Sequence, residues 1–175
     1  MWTLTLPAPD PKTILILKRN SRRLSPSGSD SSRRMELCVL IFLDTEFNGF
    51  HGSLISMALV PEAGRSFYEA LHCDDPCPWV AQNVMPIIGK PPISRHLFQK
   101  RLSAFLCRFQ ELHIVADWPE DLVHFCQALL VSPGERLLTP AMQFELIFDI
   151  SKFPSKVPHN ALEDAKAFRL SILHS

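Results

Sequence analysis

The chain has 175 residues, 46% of them hydrophobic, and its eighteen Lys/Arg balance eighteen Asp/Glu. That is enough for one domain with its own core, and no apolar run approaches the roughly eighteen residues that a membrane span needs. The neutral total hides an asymmetry: residues 1–34 hold seven Lys/Arg and two Asp, while residues 35–175 hold eleven Lys/Arg and sixteen Asp/Glu. The larger part is therefore acidic, and action on nucleic acid would need metal cations and a local basic patch to offset that charge.

Residues 1–34 read as a basic leader. KRNSRRLSPSGSDSSRR is Ser- and Arg-rich with almost no apolar content, so it is expected to be disordered. Its charges follow the short apolar run ILIL instead of preceding it, which is not signal-peptide order. A transit-like segment, a nucleic-acid-binding arm and a dispensable start ahead of Met35 all remain open. Residues 35–175 form the expected domain.

ELCVLIFLD is a near-continuous apolar run, the pattern of a strand buried on both faces. SLISMALV and SFYEAL follow as two more strands, split by the turn-like PEAGR, and the first strand is expected to lie antiparallel to the second. WVAQNVMPII is a short helix between the Pro-rich patches DDPCPW and GKPP. SRHLFQKRLSAFLCRF carries Leu97, Leu102, Phe105, Leu106 and Phe109 at helical spacing, with Ser94 as N-cap. Its bases Arg95, Lys100, Arg101 and Arg108 are either a solvated face or a phosphate track. LHIVAD predicts a strand, PEDLVHFCQALL a helix with Pro119 in its first turn, FELIFDI a strand and NALEDAKAFRLSIL the last helix. Strands first, then helices alternating with strands, predict an α/β fold with a mixed central β-sheet flanked by helices.

Of the five cysteines, Cys38, Cys107 and Cys126 sit among apolar neighbours and are expected in the core. Cys73 and Cys77 flank a turn, and a lone Cys-x3-Cys pair is a weak zinc signal. The unpaired set predicts a reducing compartment, hence the cytoplasm.

The chemistry lies in the acids. Asp44 and Glu46 are two apart on the first strand, so they share a face at its end, where they repel unless protonated or bridged by a cation. In VADWPEDLVHF, Asp117 is expected to cap the helix, with Glu120 completing a capping box and Asp121 following. VPHNALEDAKAF repeats the layout with Asn160, Glu163 and Asp164. Each helix Asp alone also serves as a partner of the helix dipole. Together Asp44, Glu46, Asp121 and Asp164 offer hard oxygen donors for two Mg²⁺ or Mn²⁺ ions, the arrangement that activates a water against a phosphodiester. His159, five residues before Asp164, stands where it could take that water's proton.

DTEF, VADWPED and above all HNALED together resemble the DEDD superfamily of 3′–5′ exonucleases in its branch with a histidine base, most closely its short bacterial exoribonuclease domains. The resemblance covers about residues 36–173. It implies a ribonuclease-H-like fold and hydrolysis of single-stranded RNA, or alternatively DNA, from the 3′ end to nucleoside 5′-monophosphates. It further implies two divalent metals held by Asp44, Glu46, Asp121 and Asp164, with His159 as general base. Asp121 fits the middle motif better than Asp117, which stands where many relatives have Asn. Phe47, Asn48 and Trp118 are candidate contacts to the terminal nucleotide, with packing as the alternative for both aromatic rings. A homodimer is a possible assembly, and no membrane is expected. The competing readings are a 3′–5′ exodeoxyribonuclease, a nucleic-acid-binding module without catalysis, and a structural domain whose acids serve only caps and turns.

Overall fold

A computed structural model describes residues 38–148 and 154–174. The expected leader, residues 1–34, lies outside the described residues, as do Asp149 and Ile150 of FELIFDI.

The first apolar run forms β1 (Cys38–Phe47). Its side chains alternate between two cores, Ile41 and Leu43 entering one and Phe42 the other, which is why the run is unbroken in apolar character. β2 (Leu54–Pro61) pairs antiparallel with β1, and β3 (Phe67–Leu71) antiparallel with β2. α1 (Pro78–Asn83) and a 3-10 turn at Met85–Ile87 make the short helical stretch between the Pro-rich patches. The two-residue β4 (Pro92–Ile93) pairs parallel with β3. α2 (Arg95–Leu106) starts at Ser94, whose Oγ accepts the Leu97 N–H at 3.3 Å. β5 (Glu111–Ala116) runs parallel to β1, and α3 (Pro119–Ala128) follows directly. A small hairpin of β6 (Leu130–Ser132) and β7 (Glu135–Arg136) leads to β8 (Ala141–Leu146), parallel beside β5, and then to α4 (Ala161–Leu173).

The result is an α/β architecture with a mixed six-stranded sheet in the order β4-β3-β2-β1-β5-β8. α2 and α3 cover one face, where Phe98, Leu102 and Phe125 pack with Ile41, Leu43 and Leu112. α4 covers the other through Ala161, Ala165 and Phe168, and the Phe168 ring meets Phe42 edge-on at 5.5 Å. Phe42 and Phe125 are fully buried, and truncating either to Ala is worth about 3–5 kcal/mol of stability. β1, β5 and β8 are parallel, so their carboxyl ends share one rim, the position where open α/β sheets hold ligands.

Four local expectations need correction. The N-cap of α3 is Trp118, not Asp117, and the Trp118 side chain makes no cap bond. Pro119 supplies the start instead, because it needs no N–H partner in the first turn. The last strand lies three residues earlier than FELIFDI, at Ala141–Leu146. α2 stops at Leu106; Phe109 falls beyond the helix yet still packs against the core it shares with Phe105. Cys107 and Cys126 are exposed and Cys38 is half-buried, whereas Cys73 and Cys77 pack against Val80 and Ile88. Apolar neighbours in sequence mislead here, since successive residues point to different sides of a helix or strand.

Candidate metal centre

β1 loses its register with β2 between Glu46 and Phe47. Such an irregularity ends pairing and re-aims the side chains around it. Asp44 and Glu46 share the face of Phe42, toward α4, while Thr45 is turned to the opposite face and buried. The loop back to β2 is tight: Asn48 N–H donates to Ser53 O at 2.9 Å and Gly52 N–H to Gly49 O at 2.8 Å. A Cβ on Gly52 would lie 1.9 Å from the Asn48 carbonyl oxygen, so only glycine fits. Asn48 is fully employed in holding this loop, its Nδ2 donating to Asp75 O and its Oδ1 accepting from Cys77 N–H.

The helix acids arrive from opposite sides of the sheet. Asp121 sits in the first turn of α3 and is 2% exposed. Its Oδ1 accepts from both Thr45 N–H, at 3.0 Å, and Thr45 Oγ1–H, at 2.6 Å. Asp164 sits in the first turn of α4, and its Oδ2 accepts the His159 backbone N–H at 2.8 Å. Asn160 caps α4 as expected, its Oδ1 accepting from Glu163 N–H. The other end of that amide donates to Ile87 O at 2.8 Å and to Tyr68 Oη at 3.2 Å, which ties the helix start to the turn after α1. Glu163 does not complete a box; its carboxylate pairs with Lys166 at 2.7 Å.

Six carboxylates line one cavity of about 550 Å³: Asp44, Glu46, Asp117, Glu120, Asp121 and Asp164. Within it, oxygens of Asp44, Asp117 and Asp121 come within 4.8 Å of one another, and so do those of Asp44, Glu46 and Asp164. Asp44 belongs to both triads. All the donors are hard oxygens, which suits Mg²⁺ or Mn²⁺ and not a soft metal. The acids that sequence marked thus meet, and Asp117, read as a cap, meets them too.

Burial, more than the mutual repulsion of the acids, sets how they titrate. Burial pushes Glu46 up to about 8, helped by the charges of Asp164 and Asp121. Burial likewise raises Asp121, against the lowering effect of its two Thr45 bonds. Glu120 is held low, first by the His51 N–H that it accepts at 3.0 Å.

His159 lines the same cavity from an exposed position. Its backbone is left-handed, with φ 66°, a region that non-glycine residues enter at a cost of roughly 1–2 kcal/mol. Its ring meets Trp79 edge-on at 4.9 Å. The aromatic wall also includes Phe47, Phe50 and Trp118. Trp79 and Trp118 are each about half exposed and Phe50 is 80% exposed. Trp118 Nε1–H donates to Glu120 Oε2 at 3.3 Å, and Phe47 lies against the His124 ring. Asn48 is not part of the lining. Sequence reading missed Trp79, Phe50 and Thr45. Trp79 looked like one more residue of a short helix, and Thr45 carries no signal except its place between the first two acids.

Two of the four bases singled out in and just after α2 are engaged elsewhere. Arg101 pairs with Glu69 at 3.0 Å, and Arg108 lies over the Phe105 and Phe109 rings. No helix among the described residues is long and apolar enough to cross a membrane. Comparison with protein-family models and with curated proteins gives no match to this chain.

Proposed function

We propose that this chain is a 3′–5′ exoribonuclease of the DEDD type with a histidine base, releasing nucleoside 5′-monophosphates from single-stranded RNA. The observation that carries the reading is the pair of carboxylate triads that share Asp44. A mixed six-stranded sheet with helices on both faces is compatible with a ribonuclease-H-like fold. The five free thiols suit a reducing compartment such as the cytoplasm.

In this reading Asp44, Glu46, Asp121 and Asp164 hold two Mg²⁺ or Mn²⁺ ions, with Asp117 as a further donor beside Asp121. When bound, such a pair supplies Lewis-acid activation of a water and stabilisation of the leaving 3′-oxygen. The protein's own groups do the rest. His159 takes the proton from the attacking water. The His159 N–H fixes Asp164, and Thr45 fixes Asp121, so two acids from separate helices keep their places. Water attacks phosphorus, the bond to the 3′-oxygen of the preceding nucleotide breaks, and that oxygen leaves as a hydroxyl after taking a proton from solvent, to which His159 returns the one it removed. A cavity of about 550 Å³ is the size of a small-ligand site and accommodates a terminal nucleotide, with Trp79, Trp118 and Phe47 as faces for its base.

The test is incubation of the protein with 5′-labelled single-stranded RNA and DNA in Mg²⁺, Mn²⁺ or EDTA. A ladder that shortens from the 3′ end of RNA, only with metal, and yields 5′-monophosphates is expected. A ladder on DNA alone moves the assignment to an exodeoxyribonuclease, and the absence of hydrolysis with either metal overturns the reading.

A further inference from the structure

Beside the acid cavity lies a second, of about 370 Å³, whose polar lining is Ser53, His72, Ser94, Arg95, His124 and Gln127. None of its described lining residues is a carboxylate, whereas its neighbour has six, of which Glu120 lies close enough to act on the His124 charge. His124 decides its chemistry. It is 5% exposed, and its Nε2 has no hydrogen-bond partner among the described residues. A buried polar atom left in that state costs about 1–3 kcal/mol, a cost that a ligand reaching it removes. Arg95 donates to Gln127 O at 2.9 Å, which holds the guanidinium at the cavity and leaves its remaining N–H groups for something else. Ser94 caps and Arg95 begins the twelve-residue α2; Ser94 Oγ takes the Leu97 N–H, the N–H groups ahead of it lie outside the helix's own ladder, and the helix dipole favours an anion there.

The two cavities are neighbours across one pair of rings. Phe47 lines the first and His124 the second, with centroids 4.8 Å apart and planes 32° apart. The hydrogen-bonded loop after β1 spans both, since Gly49 and Phe50 line the first and Ser53 the second.

We infer that the second cavity is a phosphate subsite that takes an internal phosphodiester of the strand whose 3′ end lies in the acid cavity. This rests on the proposed nuclease function. Contacts of this kind position a strand without reading its sequence. A dinucleotide without terminal phosphates has a single phosphodiester, which the acid cavity requires; only a longer strand has one to spare for Arg95 and His124.

Inorganic phosphate titrated into the full chain in EDTA, followed by the imidazole NMR signals, tests the subsite without turnover. Phosphate is expected to shift His124 and His72 in the wild type and in Asp44→Asn. In Arg95→Gln, an exposed change that spares the fold, the affinity should fall at least tenfold. An eight-nucleotide RNA should displace the phosphate at a concentration where a dinucleotide does not. An unmoved His124, an undiminished response in Arg95→Gln, or equal displacement by the dinucleotide overturns the subsite. Failure of the nuclease reading shows separately, as absent hydrolysis in Mg²⁺ and Mn²⁺.

Discussion

Asp121 Oδ1 accepts two hydrogen bonds from one residue, Thr45, through its backbone N–H and its hydroxyl. Thr45 stands between Asp44 and Glu46 but faces the other side of β1, where its N–H and hydroxyl both bond the helix acid. The strand therefore sets both halves of the acid cluster: it carries two acids and anchors a third. Thr45→Val keeps the β-branched shape and removes the hydroxyl donor. Loss of an outer-shell partner of this kind is expected to weaken metal affinity or turnover roughly 10–100-fold and stability by about 1 kcal/mol. Thr45→Ser should restore most of both, as read by hydrolysis assays at varied Mn²⁺ and by thermal melts.

The metal-free protein should lose stability as pH rises. Glu46 titrates near 8 in the fold, above its ordinary value of 4.5. Between those values the folded state binds the proton and the unfolded state releases it, so stability falls across that window. Below about 4.5 the contribution is fully present, and above about 8 it is gone. In EDTA the melting temperature is expected to drop by several degrees from pH 5 to pH 8, the equivalent of a few kcal/mol. Mg²⁺ or Mn²⁺ should raise it most at the alkaline end, where the carboxylates are ionised. A metal-free melting temperature that climbs steadily over this range would contradict the assigned titration.

Asp117 and Asp121 both approach Asp44; Asp121 is bonded to Thr45 and 2% exposed, whereas Asp117 is half-buried. Asp121→Asn is therefore expected to lower hydrolysis by about 10²-fold or more, and Asp117→Asn by about tenfold or less, if the loss follows the ligand or its support. Steady-state rates at saturating Mn²⁺ decide between them. An inactive Asp117→Asn beside an active Asp121→Asn would exchange their roles.

The pattern of β1, β2 and α4 was legible because each buries apolar residues at its own period, and Ser94 and Asn160 cap as their side-chain chemistry dictates. The α3 cap was not legible: Asp117 and Glu120 have the spacing of a capping box, yet Pro119 starts the helix and the two acids turn to the cavity and to His51. There a cluster of charges outweighs a local signal worth about 1 kcal/mol. β8 was misplaced because it is an edge strand whose residues are largely exposed, and edge strands lack the apolar alternation that marks a strand. Trp79 and Phe50 were illegible as site residues. What makes them so is the Asn48 contact that folds one loop onto the next and the Asn160 contact that brings His159 beside α1.

His159 offers the sharpest test of roles, because its two contributions separate. The backbone N–H, not the ring, holds Asp164. A substitution can therefore remove the imidazole and keep the acid in place, provided that the left-handed backbone survives. Asn enters that region more easily than Ala, so His159→Asn is the cleaner variant. Its turnover of single-stranded RNA is expected to fall roughly 10²–10⁴-fold, as for loss of a general base, while the rise in melting temperature on adding Mn²⁺ stays near that of the wild type. His159→Ala should show the same loss of turnover with an added destabilisation of about 1 kcal/mol from the strained φ. Turnover within threefold of the wild type in His159→Asn would remove the ring from the chemistry. A lost Mn²⁺ response would mean that the imidazole, and not only the N–H, supports the metal site.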